Sequence, residues 1–241
     1  MQFASLQFLI FFPIVVVVYF QLPHRMRWLL LLAAGAYFYM AFVPGFILVL
    51  AFVILAVFVF GRLLEANRGR GAFYVGLLVV LSPLIFYKYF DFLGGAVFGP
   101  VWVSMGLVQP LGISFFSLQA VSYLIEVQTG RLRAERHLGY LALFLMFFPL
   151  LLSGPIERPG NLLPQLREQH RFEYERVVSG LLRLAFGFFQ KLVIADRLTL
   201  IVNEVYGAPE AFIGPQLLAA TLLFSIQIYC DFAGYSNIAI G

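Results

Sequence analysis

Phe46-Ile-Leu-Val-Leu-Ala-Phe-Val-Ile-Leu-Ala-Val-Phe-Val-Phe60 runs without a charge, a hydrogen-bonding side chain, a proline or a glycine. As a helix it extends about 22 Å, most of a hydrocarbon core of roughly 30 Å. Its apolar residues are continuous rather than alternating, which excludes a lipid-facing barrel strand and leaves a helix embedded in a bilayer. Leu6–Phe20, Trp28–Val43 and Phe73–Tyr87 are runs of the same kind. The fold class is therefore an all-α, polytopic membrane helical bundle.

The composition of the 241 residues agrees. Hydrophobic residues make up 62% and charged residues 12%, mean hydropathy is +0.92, and there are 28 phenylalanines. Soluble domains carry about a quarter charged residues, and a core of this size in water has no room for so many large apolar side chains. One cysteine, Cys230, excludes a disulfide framework and a multi-cysteine metal site. A net charge of +4 and pI of about 9.3 suit cytoplasmic loops of a membrane protein. Nucleic acid is not expected, because no basic cluster is interleaved with exposed aromatics. The first run follows no Lys or Arg and ends at no Ala-x-Ala site, so it reads as a retained helix, not a signal peptide.

Further along, Pro110–Val127, Tyr140–Leu152, Val177–Ala195 and Gln216–Gly241 complete seven to eight membrane segments within one domain, 1–241. Arg25 and Arg27, then Arg62, Arg68 and Arg70, then Arg131, Arg133 and Arg136 mark three cytoplasmic loops, while Pro44-Gly45 and the loop with Lys88 and Asp91 lie outside. Tyr140–Leu152 is short for a span. A re-entrant course puts 128–176 wholly in the cytoplasm; an eighth crossing puts Arg158, Arg167, Arg171 and Arg176 outside, partly balanced by Glu157, Glu168, Glu173 and Glu175. Leu162, Leu163, Leu166 and Phe172 suit a segment lying at the interface.

Polar side chains inside apolar segments are costly and mark functional candidates. Gln119, Ser122 and Glu126, with Tyr123 beside them, share a helix face that lines a wet cavity or pairs with another helix. Arg176, Arg183, Gly187, Gln190 and Lys191 form a basic stripe, suited to an anionic group or to an ion pair with Glu126 or Asp231. Gln227, Asp231 and Tyr235 recur every four residues ahead of Ser236 and Asn237. Asp231 orients a basic partner or accepts from a substrate hydroxyl; pairing with Arg183 or Lys191 is the structural alternative. None of these sets is a complete catalytic unit. No GxSxG, HxxxxD, P-loop, GxGxxG or HExxH pattern occurs. His24, His137 and His170 lie in charged loops and read as solvated side chains, and no metal site is indicated.

Pro110-Leu-Gly-Ile-Ser-Phe-Phe-Ser-Leu-Gln-Ala-Val-Ser-Tyr123, Phe147-Phe-Pro-Leu-Leu-Leu-Ser-Gly-Pro-Ile-Glu-Arg158, Phe188-Phe-Gln-Lys-Leu-Val-Ile-Ala-Asp196 and Gln227-Ile-Tyr-Cys-Asp-Phe-Ala-Gly-Tyr-Ser-Asn-Ile-Ala-Ile-Gly241 resemble, in order, signature stretches of the membrane-bound O-acyltransferase (MBOAT) family, above all its alginate O-acetylation branch. D-alanyl transferases of teichoic acids are more distant relatives. The resemblance implies transfer of an acyl group from a cytoplasmic thioester donor, acetyl-CoA foremost, to a hydroxyl of an exported polysaccharide such as alginate, in the inner membrane, with periplasmic polysaccharide-modifying partners and no bound cofactor.

It also implies that Pro155, Glu157 and Arg158 shape a cytoplasmic mouth and that Gln119, Tyr123 and Asp231 line a funnel; Glu126, Arg183, Lys191, Gln227, Tyr235 and Asn237, polar within or beside the apolar segments, are the further lining candidates. The family's catalytic histidine follows the Asp-Phe-x-Gly-Tyr-Ser motif by some tens of residues. The chain is thus expected to be the N-terminal part of a longer transferase and inactive alone. A transporter with Glu126, Asp231 and Arg183 along its path, or a non-catalytic assembly partner, are the readings from other classes; no internal repeat supports the former.

Overall fold

The computed structural model describes residues 3, 5–41, 43–66, 69–99, 104–152 and 154–241; Arg68 and Ser153 lie outside them. Among the described residues twelve α-helices follow in order: α1 (Leu6–Gln21), α2 (His24–Met40), α3 (Ile47–Ala66), α4 (Arg70–Leu84), α5 (Phe90–Phe98), α6 (Ile113–Gln128), α7 (Leu138–Met146), α8 (Phe148–Leu151), α9 (Pro159–Arg167), α10 (Tyr174–Phe188), α11 (Asp196–Gly207) and α12 (Gly214–Ile240). No strand occurs among the described residues. Among the described residues four continuous helical stretches are long and apolar enough to cross a bilayer, Pro44–Ala66, Arg70–Val97, Tyr174–Gly207 and Gly214–Ile240, and Leu6–Gln21 is a shorter apolar helix. The protein is an all-α, multi-pass membrane protein.

Two compact units are described, one comprising Pro13–Leu152 and Ile156–His170, the other 3–12, 154–155 and Arg171–Gly241.

In the first unit α6 is central, packing against α3, α4, α7 and α9. Phe116, Ala120, Tyr123 and Leu124 of α6 meet Leu50, Val53, Val57 and Leu64 of α3 and Leu141, Leu143, Phe144 and Leu145 of α7 in a core closed to solvent. Leu48, Phe52, Leu55 and Val59 line the opposite, exposed face of α3, as expected where lipid is the solvent. Gly112 enters α6 at φ 73°, and a Cβ there would strike the Leu151 carbonyl, so only glycine fits.

Two boundaries differ from the sequence expectation. The run ending at Tyr87 continues through a π-helical turn, Ile85–Tyr89, into α5, so Lys88 and Asp91 belong to helix rather than to a loop. Pro83 cannot donate to the Val79 carbonyl, and the Ser82 hydroxyl does so instead at 2.8 Å, which keeps the backbone satisfied in lipid. Asp91 then accepts from Ser104 Oγ at 2.8 Å and from the Met105 N–H at 3.0 Å. Likewise the run 177–195 is the middle of a longer stretch, Tyr174–Gly207.

The segment 140–152 has a definite course. Its N-terminal end lies by the start of α2, where Trp28 meets His137 and Tyr140. Midway, the Phe144 carbonyl accepts from Gln119 Nε2 at 3.1 Å, and Met146 lies against Gly35. The helix breaks at Phe147 (φ −63°, ψ 104°), and α8 brings Leu151 to Gly112 at the first turn of α6. By Gly160 the chain is back at the last turn of α6, its N–H donating to Glu126 Oε2 at 3.2 Å. The segment thus runs from beside the last turn of α6 to its first turn and the chain is back by Gly160, which keeps 128–137 and 156–170 at the same end of the unit. Leu162 and Leu163 of α9 are buried against that end, while Phe172 is exposed.

The second unit is built on an antiparallel helical hairpin, α10–α11 against α12, turning at 208–213. Gly180 and Gly187 face Gly241 and Gly234 backbone to backbone. This seven-residue spacing of small residues on both helices allows the close approach that membrane helices use in place of a hydrophobic drive.

Candidate functional site

In the second unit the two helices touch through polar groups as well as glycines. Residues Phe189–Ala195 are π-helical. The wider turn changes the register, so that Gln190 and Lys191, adjacent in sequence, both reach α12. Lys191 Nζ lies 2.5 Å from Asp231 Oδ1 and 2.9 Å from Asp196 Oδ1. Gln190 Oε1 accepts from Asn237 Nδ2 at 2.7 Å, and Asn237 Oδ1 accepts from Arg183 Nε at 3.2 Å. One ammonium between two carboxylates carries a net negative charge, which Arg183 on the same stripe offsets. Tyr235 stacks on Phe3 with ring centroids 4.5 Å apart. Gln227 is half-buried, and its side-chain oxygen has no hydrogen-bond partner among the described residues. Arg176 stands apart at the start of α10, 3.6 Å from Glu173.

The second and third polar sets thus meet across one helix pair in two clusters, Lys191 with Asp231 and Arg183 with Asn237 and Gln190, and Asp231 is the counter-ion of Lys191. An ion pair within apolar helices is expensive to bury and more expensive to break, so it fixes the helix register.

The first set falls in the first unit. Tyr123 is fully buried, and its hydroxyl accepts the Glu135 N–H at 2.7 Å. Glu135, itself buried, holds Arg167 at 2.5 Å and accepts the His137 N–H at 2.8 Å. Arg167 also lies over the Tyr140 ring, 4.6 Å from its centroid. Gln119 is buried on the Phe144 carbonyl and Glu126 sits at the first turn of α9, where a carboxylate favours the helix N-terminus. Glu157 Oε2 accepts from the Arg158 N–H at 3.2 Å and from Asn161 Nδ2 at 3.0 Å, tying down the entry to α9. Pro155, half-buried beside buried Gly154, belongs to the second unit. Gln119 and Tyr123, expected on a funnel wall, are packed inside the unit and hold α6 to α7 and to the 131–137 loop.

Sequence reasoning missed Glu135. It is the one acid in the basic loop 131–136, but an irregular loop has no periodicity to show that it turns inward. The histidines are engaged locally. His137 packs between Trp28 and Tyr140, with centroids at 5.1 and 5.2 Å, and a His170 ring nitrogen lies 2.9 Å from the Gln165 carbonyl.

No family model matches the chain. Among curated proteins it is 33% identical, over all of its own length, to the protein named probable alginate O-acetylase AlgI of Azotobacter vinelandii, and covers 50% of that protein. Identity to the Pseudomonas aeruginosa protein of the same name is 32%, again over the whole chain and 48% of the relative. The teichoic acid D-alanyltransferase of Bacillus subtilis is 27% identical over 73% of this chain and 45% of its own. The chain spans about half the length of the curated relatives it matches. Identity at this level over every residue shows that the chain belongs to the membrane-bound O-acyltransferase family, on its alginate O-acetylase branch.

Proposed function

We propose that the complete protein is an inner-membrane O-acyltransferase that moves an acetyl group from a cytoplasmic thioester, acetyl-CoA foremost, to a hydroxyl of an exported polysaccharide such as alginate. The observation that carries this reading is the full-length similarity to proteins named alginate O-acetylases. Relatives that differ in polymer, named for peptidoglycan and teichoic acid, share the reaction type.

In the reaction the acceptor oxygen attacks the thioester carbonyl carbon, the C–S bond breaks, and the hydroxyl proton passes to a base as the thiol leaves. A histidine near pH 7 suits that base; the resemblance puts it after the Asp231–Ser236 motif. What residues 1–241 contribute is support. The Lys191–Asp231 and Arg183–Asn237–Gln190 contacts lock one helical hairpin, and Glu135–Arg167 with Tyr123 locks the basic end of the other unit, which faces the donor. Glu126, Glu157 and Arg158 shape that end, and Gln227, Asp231 and Tyr235 border the acyl path. Membranes holding the complete protein, given [14C]acetyl-CoA and alginate, should esterify the polymer; label that stays off the polymer with active donor present contradicts the reading.

A further inference from the structure

The arginines at the basic end of the first unit divide into those that hold the fold together and those left over. Arg27 donates from Nη1 to the His170 carbonyl at 2.6 Å and from Nε to the Leu22 carbonyl at 3.1 Å, and Arg167 is bound to Glu135. Arg25, Arg131, Arg133 and Arg136 are exposed, and none of them has an ion pair among the described residues. The acids beside them are engaged within the unit: Glu135 is buried on Arg167, Glu126 accepts the Gly160 N–H, and Glu157 accepts from the Arg158 N–H and from Asn161. Glu65 and Glu168 are exposed at this end and pair with none of the four among the described residues.

Two of these arginines stand above exposed apolar groups. Arg25, Trp28 and Leu29 share one face of α2, at i, i+3 and i+4. Because α2 runs inward from its loop, exposed Leu29 lies about 6 Å deeper than Arg25. Beside it α7 also runs inward, with Trp28 meeting His137 and Tyr140, and there Arg136 precedes exposed Leu138 by two residues. Both helix starts therefore present a guanidinium outermost and a leucine further in, joined at the Trp28–His137 contact.

Positive-inside topology puts this end on the cytoplasmic face, and an indole at such a level suits the membrane–water interface. A free anion uses the guanidinium groups and leaves the leucines in water, whereas a phosphate that carries acyl chains uses both. Charge left unneutralised beside a leaflet attracts anionic lipid, and a guanidinium matches phosphate geometry. We propose that Arg25 and Arg136 bind the headgroup of an anionic phospholipid of the cytoplasmic leaflet, with its chains on Leu29 and Leu138. This site is separate from the acyl-transfer reading and does not depend on it.

The chain has two tryptophans, so Trp102→Phe leaves Trp28 as the reporter. The full chain with that change, in phosphatidylcholine vesicles, is given increasing fractions of dibrominated phosphatidylglycerol or of dibrominated phosphatidylcholine. Quenching of Trp28 then measures the relative affinity of the two lipids beside it. Phosphatidylglycerol should be preferred about tenfold at low salt, and Arg25→Gln and Arg136→Gln should each reduce that preference about three- to fivefold. Arg25→Lys keeps the charge and should stay near the parent. Arg70→Gln removes the same charge from the start of α4, which packs against α3 and α6, and should leave the preference unchanged. If one glutamine variant does not insert, the other decides. No preference in the parent, or an equal fall in Arg70→Gln, would overturn the site. So would relief of quenching by millimolar inorganic phosphate at constant ionic strength, which would assign the arginines to a free anion.

Discussion

Lys191 Nζ sits 2.5 Å from Asp231 Oδ1, joining the π-helical turn after α10 to the middle of α12, with Asp196 as a second carboxylate at 2.9 Å. The pair is half-accessible, Lys191 at 33% and Asp231 at 53%, so its worth lies between the surface and buried limits. Lys191→Met should lower stability by about 1–3 kcal/mol by leaving two carboxylates without a cation. Asp231→Asn should cost less, because Asp196 keeps the ammonium paired. Thermal unfolding in nanodiscs orders the two variants.

The glycine contacts give a signed comparison. A Cβ on Gly187 would stand 2.7 Å from both the Gly234 carbonyl oxygen and the Ile238 nitrogen, backbone atoms that cannot rotate away. Gly187→Ala should therefore destabilise by about 1–3 kcal/mol. Gly95, in α5, has nothing within 4 Å of its would-be Cβ, and Gly95→Ala should stabilise by about 0.5–1 kcal/mol.

Tyr123→Phe removes the acceptor for a buried N–H on Glu135 and should cost about 1–3 kcal/mol. Hydrogen exchange should accelerate at 134–137 first, because that loop hangs on this bond and on the Glu135–Arg167 pair. Unchanged exchange there would refute the tie.

Topology is open to labelling. In a Cys230→Ser background, Arg133→Cys and Gln169→Cys should react with an impermeant maleimide from the same side, and Gly45→Cys and Gly106→Cys from the other. A simple crossing by 140–152 would put Gln169→Cys with Gly106→Cys.

The apolar runs were legible because lipid demands continuous hydrophobicity. The helix beyond Tyr87 was hidden, since Lys88 and Asp91 look like loop residues until Ser104 and Ser114 are seen to engage them. For Asp231 the sequence left pairing and lining open, and the π-turn that brings Gln190 and Lys191 to one face leaves no periodic trace. Glu135 was illegible for the opposite reason: its partners, Tyr123 and Arg167, are brought to it by tertiary packing alone.

The most direct measurement is acetyl transfer to polysaccharide hydroxyls by membranes carrying the complete protein, wild type against Asp231→Asn, with insertion checked by the labelling above. The account predicts esterified polymer from wild type and at least a roughly tenfold loss, about 1.4 kcal/mol of barrier, in Asp231→Asn with insertion unchanged. No transfer by wild type, or equal transfer by both, would contradict it.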